Sequence, residues 1–209
     1  MARHTPVKLE AQMKRLLAIT GTYRDDGMID QAVATAVESA RDSGAEVEVV
    51  NLRDYPIEFC QNCRECMQQP GPRPGACVKH DGMEALVRKI EAADRFVLAS
   101  PTNFFSVTAL FKRFMERLAV YGYWPWGTPA PQPRKKAMEK KALVIATCAA
   151  PVTLGRIVFS TARQLKMAAK TFGAAPSSIF IGRASGERHP RLQPADARVI
   201  ERATQRLLA

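Results

Sequence analysis

Five short runs of apolar residues alternate with longer stretches in which apolar side chains return every three or four positions. Residues 15–20, RLLAIT, are a compact apolar run that ends at Gly21. Residues 28–44, MIDQAVATAVESARDSG, follow with helical spacing and a glycine stop. AEVEVVNL at 45–52 alternates polar and apolar positions and is rich in β-branched residues, which predicts a second strand. DGMEALVRKIEAAD at 81–94 predicts an amphipathic helix with Asp81 as N-cap, and RFVLASP at 95–101 a strand closed by Pro101. The next helix covers 106–122, with Val107, Leu110, Phe111, Phe114, Leu118 and Val120 along one stripe. KKALVIATC at 140–148 is a fourth strand. A long helix is predicted over 154–173, a fifth strand over 177–182, and a last helix from Pro194 to the end.

Strands and helices in strict alternation require right-handed crossovers, hence a parallel sheet with helices on both faces. The fold class is therefore α/β, doubly wound, in one domain spanning 1–209. Two segments depart from the alternation. One is the connection at 57–80; the other is 123–136, YWPWGTPAPQPRKK, whose four prolines predict an irregular linker within the domain.

Ligands on such sheets bind beyond the carboxyl ends of the strands, so the informative connections are TGTYRDDG, SPTNFFSVT and TCAAPVTLG. The first offers hydroxyls, the cation Arg24 and helix N-terminal amides to a phosphate. Neither G-x-x-x-x-G-K nor G-x-G-x-x-G occurs there, which argues against an ATPase and a conventional nicotinamide-binding site. Asp25 and Asp26 would repel a phosphate and are expected to face outward or cap the helix. Ser100 to Phe105 combine polar groups with two rings, suiting a planar heterocycle, or simply fill the core. Trp124 and Trp126 suit a flavin cap, a subunit interface or buried packing.

At 57–80, IEFCQNCRECMQQPGPRPGACVKH, four of the chain's five cysteines lie within eighteen positions. Cys60, Cys63 and Cys66 are spaced C-x-x-C-x-x-C, and Cys77 follows a Pro- and Gly-rich excursion. Short spacing of this kind lets one turn wrap an iron–sulfur cluster. Four thiolates also satisfy zinc, and a third reading is a group of reduced thiols without metal.

Composition refines this only in part. With 46% hydrophobic and 24% charged residues and no long apolar run, the chain reads as soluble. An N-terminus without an apolar core predicts a cytoplasmic location, where thiols stay reduced. The net charge of +11 suits a polyanion, but the basic residues are dispersed. The densest run, Arg134-Lys135-Lys136, lacks interleaved aromatics and is expected to be a solvated loop.

Taken together, G-T-Y-R after the first strand, the cysteine run after the second, G-A-C-V-K-H-D-G-M entering a helix, A-S-P-T-N-F closing the third and L-F-K-R-F-M-E-R beyond it resemble the NADPH-dependent FMN reductase family. The likeness is to its iron–sulfur flavoproteins, within the flavodoxin-like superfamily, and covers most of residues 14–182.

That resemblance implies strand order 2-1-3-4-5 and an FMN-dependent oxidoreductase. It also implies a [4Fe-4S] cluster on Cys60, Cys63, Cys66 and Cys77, exchanging electrons with the flavin near a subunit interface. Gly21, Thr22, Tyr23 and Arg24 would hold the phosphate, with Met28 and Ile29 contributing backbone amides only. Ser100, Pro101, Thr102, Asn103, Phe104 and Phe105 would contact the isoalloxazine, and Thr147, Ala149, Ala150 and Pro151 its other edge. Relatives often carry Tyr and Gly where this chain has Asn103 and Phe105. No side chain is assigned a catalytic acid or base role. The expected partners are a second copy or three more, NAD(P)H as donor, a redox protein such as a ferredoxin, and a small-molecule acceptor. The alternatives are an NAD(P)H-dependent FMN or quinone reductase without a cluster, and a zinc-stabilised basic nucleic-acid-binding module.

Overall fold

The central strands carry their apolar residues in unbroken runs because both faces of the sheet are covered. In the computed structural model, which describes residues 13–184 and 189–209, β1 (Arg15–Thr20), β2 (Glu46–Asn51) and β3 (Arg95–Pro101) form the first half of a parallel sheet. Beyond a two-stranded hairpin of β4 (Gly122–Tyr123) and β5 (Gln132–Pro133), the sheet is completed by β6 (Lys140–Thr147) and β7 (Ala174–Ile181). Its order is β2-β1-β3-β6-β7, which is 2-1-3-4-5 once the hairpin is set aside. The flavodoxin-like topology follows.

Alternate residues of each strand enter different layers. Leu17, Ile19, Phe96 and Leu98 pack with α2 (Gly82–Ala92), α3 (Ala109–Arg117) and α5 (Thr161–Thr171). Leu16, Ala18, Val97 and Ala99 pack with α1 (Met28–Asp42) and α6 (Pro194–Leu208). On α3 the expected stripe is buried at Phe111 and Phe114, each worth about 1.5–3 kcal/mol on burial. The helix is shorter than its periodicity predicts: it ends at Arg117 and continues as a 3-10 turn over Leu118–Tyr121.

The long helix expected over 154–173 is two helices. α4 (Val152–Val158) stops at Phe159, and α5 begins after Ser160. The break has a tertiary cause. The Ser160 N–H and hydroxyl both donate to the Phe105 carbonyl (3.0 Å each), and the Phe159 ring meets Phe105 edge-on at 5.4 Å. The Pro/Trp segment also differs from expectation, since its ends pair as the β4–β5 hairpin rather than staying wholly irregular.

Candidate functional site

The carboxyl ends of β1, β3 and β6 are locked in register by loop hydrogen bonds. Gly21 N–H donates to the Ala99 carbonyl (2.9 Å), Thr102 N–H to that of Thr147 (2.8 Å) and Cys148 N–H to that of Ile181 (3.0 Å). Gly21 has no room for a side chain, because a Cβ would come within 2.7 Å of Phe111. The predicted residues Gly21 to Arg24, Ser100 to Phe105 and Thr147 to Pro151 therefore lie on neighbouring connections at one end of the sheet. Their polar groups are not equally available. Ser100 is fully buried, accepting from Thr108 N–H (3.2 Å) and donating to the Pro101 carbonyl (2.9 Å), and Thr102 is bonded to Thr161 (2.8 Å).

The loop into α1 contains a group the motif reading passed over. Asp30, in the first helical turn, turns its Oδ2 back to accept from Gly27 N–H (3.1 Å) and Thr22 Oγ1 (3.4 Å). A carboxylate thus sits among donors assigned to a phosphate. Burial pushes the Asp30 carboxyl above its ordinary range, against the lowering effect of the Gly27 N–H. Asp25 and Asp26 face outward as expected, Asp25 toward Arg53 and Asp26 toward His189 (2.7 Å) and Arg24 (4.0 Å).

Beyond β3, Asn103 and Ser106 exchange both backbone hydrogen bonds (2.9 and 3.0 Å), closing a two-residue turn. Its central residues, Phe104 and Phe105, both lie in the left-handed region, at φ 46° and 65°. This turn geometry favours Asn and Gly, yet this chain places a phenylalanine at each central position. Phe104 is 96% exposed, so little packing offsets its strain. Replacing Phe104 with Gly is expected to raise stability by about 0.5–1 kcal/mol in urea unfolding, by relieving that strain.

The cysteine segment is held from three directions by cations. Arg117 of α3 is almost wholly buried. It donates to both oxygens of Asp81 (2.6 and 3.0 Å), to the Glu58 carbonyl (2.9 Å) and to Cys77 Sγ (3.5 Å). Asp81 in turn accepts from Glu58 N–H (2.8 Å) and caps α2 through Met83 N–H (3.0 Å). One ion pair thereby ties together the entrance and exit of the segment.

Arg134 corrects the expectation of a solvated basic loop. It is buried and donates to the carbonyls of Val120 (3.1 Å), Gly122 (3.0 Å), Gly71 (3.0 Å) and Cys66 (3.2 Å). A loop poor in side-chain acceptors leaves carbonyls to satisfy, and a guanidinium's five donors suit that task. Arg64, between Cys63 and Cys66, lies over Trp124 (3.7 Å) and Trp126 (4.4 Å) and donates to the Trp124 carbonyl (2.9 Å). The tryptophans therefore dock the hairpin onto the cysteine segment. Composition announced an unusual segment without indicating what it packs against.

Asn62 and Arg64 adopt φ of 56° and 63°, so left-handed residues separate the first three cysteines. Asn62 N–H points to Cys60 Sγ (3.4 Å). Backbone alternation of this kind makes concave amide nests that receive anions and iron–sulfur centres. The Cys66 thiol is pushed up to about 11, first by burial and then by the charges of Cys77, Cys60 and Cys63. Yet among the described residues no group of three or more His, Cys, Asp or Glu side chains is placed to hold a metal ion. The four thiols share a neighbourhood without closing to single-ion spacing. Cys148 stands apart, buried and donating to the Ala150 carbonyl (3.3 Å).

The sequence matches the family described as NADPH-dependent FMN reductase over residues 14–180. The chain belongs to that family. An iron–sulfur flavoprotein of Archaeoglobus fulgidus is 33% identical over 111 residues, 53% of this chain and 48% of the relative. The chain thus spans about half the length of the curated relatives it matches. Among solved structures, an FMN-dependent NADH-azoreductase from Bacillus anthracis in complex with FMN superposes with a TM-score of 0.68 at 15% identity, covering 94% of this chain and 100% of that one. An NAD(P)H:quinone oxidoreductase from Methanothermobacter marburgensis gives 0.67 at 13%, covering 93% and 96%. At such identities the likeness establishes the flavodoxin-like fold. Within this FMN reductase family member, Asp30, Arg117 and Arg134 are the residues the motif reading did not assign. Asp30 was discoverable from its position three residues after the N-cap; Arg117 closes the L-F-K-R-F-M-E-R stretch but was given no role, and Arg134 carried no local signal.

Proposed function

We propose that the protein is an FMN-dependent oxidoreductase of the iron–sulfur flavoprotein type, passing electrons between FMN and a [4Fe-4S] cluster. The observation that carries the cluster reading is the pair of left-handed residues, Asn62 and Arg64, between successive cysteines whose thiols act on one another electrostatically. A single tetrahedral zinc requires sulfurs about 3.8 Å apart, given Zn–S bonds of about 2.3 Å. Several irons accept a wider set, which agrees with thiols that interact but are not gathered for one ion.

Cys60, Cys63, Cys66 and Cys77 would hold the cluster, with the Arg117 N–H on Cys77 and the Asn62 N–H on Cys60 stabilising thiolate charge. At the sheet end, the α1 amides with Thr22 and Arg24 would hold the FMN phosphate, and the turns 100–105 and 147–151 the ring. FMN, when bound, converts two-electron chemistry into single-electron steps. The chain's task is then to orient two centres and supply fixed dipoles, so no side chain needs to act as acid or base. Phe104 and Ile157, 96% and 83% exposed, suit a homodimer or homotetramer that covers this end. NAD(P)H or a ferredoxin-like protein is the donor class this reading admits.

Anaerobic purification tests it. The expected product is brown, with flavin absorbance and about four irons and four acid-labile sulfides per chain, and Cys63→Ser removes the iron while leaving flavin. Flavin without iron or sulfide overturns the cluster and leaves a second reading, an NAD(P)H-dependent flavin or quinone reductase. One zinc per chain and no flavin would instead support the nucleic-acid-binding alternative.

A further inference from the structure

A cavity of about 740 Å3 lies away from the carboxyl ends of the strands. It lies between α2 and residues 73–77, the second half of the Pro- and Gly-rich excursion between Cys66 and Cys77. Its size falls within the range of sites for small organic molecules, about 300–1,000 Å3. We propose that this cavity binds a small planar aromatic anion, with the Pro- and Gly-rich insertion as its built wall.

Three observations carry the inference. The wall is held in place: Gly75 N–H donates to the Val120 carbonyl (2.8 Å), and Arg134 grips the carbonyls of Gly71 and Cys66. At Gly75 a Cβ would come within 1.7 Å of the Cys66 carbonyl oxygen, so the approach requires glycine. The excursion is therefore fixed in place.

The lining is suited to a flat apolar body, with Pro74, Met83, Val87 and Val120 contributing. The charge favours an anion. Four basic or titratable side chains, Arg73, Lys79, His80 and Arg88, face two carboxylates, Glu84 and Glu91. Both carboxylates are already engaged, Glu84 by Arg88 (2.6 Å) and Glu91 by the Tyr121 hydroxyl (3.1 Å) and Lys135 (2.6 Å). Lys79 is taken by Glu58. Arg73 and His80 form no hydrogen bond or ion pair among the described residues, leaving a guanidinium and an imidazole for an anionic substituent.

Cys77 also lines the cavity, so an occupant would lie against a proposed cluster ligand. Binding itself does not depend on a cluster being present. The probe is 2-naphthalenesulfonate, titrated calorimetrically into the full chain saturated with FMN. The expected result is one saturable site, weakened about tenfold by Arg73→Ala, which alters an exposed side chain, and abolished by Val87→Phe, which fills the apolar floor. The Met83 methyl resonance should shift on binding. No saturable binding, displacement of the probe by FMN, or affinity unchanged in either variant overturns the proposal. Iron content is measured on the same preparations and is expected to be unchanged in both variants, so failure here is distinct from failure of the cluster reading.

Discussion

Arg117→Met is expected to cost about 3–5 kcal/mol of stability, read as the shift in the urea midpoint at neutral pH. The magnitude follows from what is left behind. Arg117 and Asp81 are 1% and 9% exposed at their side chains, so removing the guanidinium strands a buried carboxylate. Burial pushes the Asp81 carboxyl up, but the Arg117 hydrogen bonds, with the Glu58 and Met83 N–H groups, outweigh it and hold it at about 2. A depressed carboxylate stabilises the fold above its unfolded value of 3.8, and the contribution is lost as pH falls toward 2. The wild type should therefore lose this stability across that acid window, and the variant should show a flatter profile there. Arg117→Met/Asp81→Leu should regain part of the loss at neutral pH, because no buried charge remains, but not the tie to the Glu58 carbonyl and Cys77. Equal stability of wild type and Arg117→Met would show that the buried pair does not organise the segment.

Asp30→Asn is expected to tighten FMN binding about tenfold at neutral pH. Asp30 occupies the Gly27 N–H and Thr22 hydroxyl with negative charge, while an incoming phosphate brings more. One tenfold step is about 1.4 kcal/mol, modest for two anions at a helix N-terminus that Arg24 and Arg53 screen. The sign with pH follows from the raised Asp30 value. The protonated form is favoured by burial and more so beside a phosphate, so wild-type affinity should weaken as pH rises through the Asp30 transition. In Asp30→Asn that component disappears. Arg24, Asp26, Arg53 and His189 surround the loop, and their contribution is common to both proteins. Flavin fluorescence titrations across the acid to neutral range provide the measurement. Unchanged affinity in Asp30→Asn would place the phosphate elsewhere.

Both predictions rest on residues to which the sequence assigned no role at the site: Arg117, the last residue of the L-F-K-R-F-M-E-R stretch, and Asp30, just beyond the G-T-Y-R loop. The strands were legible because burial on both faces demands continuous apolar runs. The helices showed their apolar stripes; α2 and α6 start where Asp81 and Pro194 indicate, whereas α1 starts behind Gly27 and not at an aspartate side-chain cap. The connections after β1 and β3 and the cysteine run were legible as departures from the strand and helix patterns because each is set by local residue types at fixed spacing. The break at Phe159 was not, since helical periodicity continues through it and the Phe105 carbonyl that captures Ser160 is 55 positions away. Arg134 read as one of several loop cations, because nothing in its neighbours indicates that four distant carbonyls converge on it.

The sequence alone thus determined the alternation of elements, the parallel sheet and the connections that lie at its carboxyl end, all consequences of local propensity and side-chain periodicity. Tertiary structure alone decided which charges are buried, where the tryptophans dock and that the insertion after Cys66 forms the wall of a cavity. Those outcomes depend on groups tens of residues apart meeting in a low-dielectric interior, where a single unpaired donor or charge costs enough to select the partner.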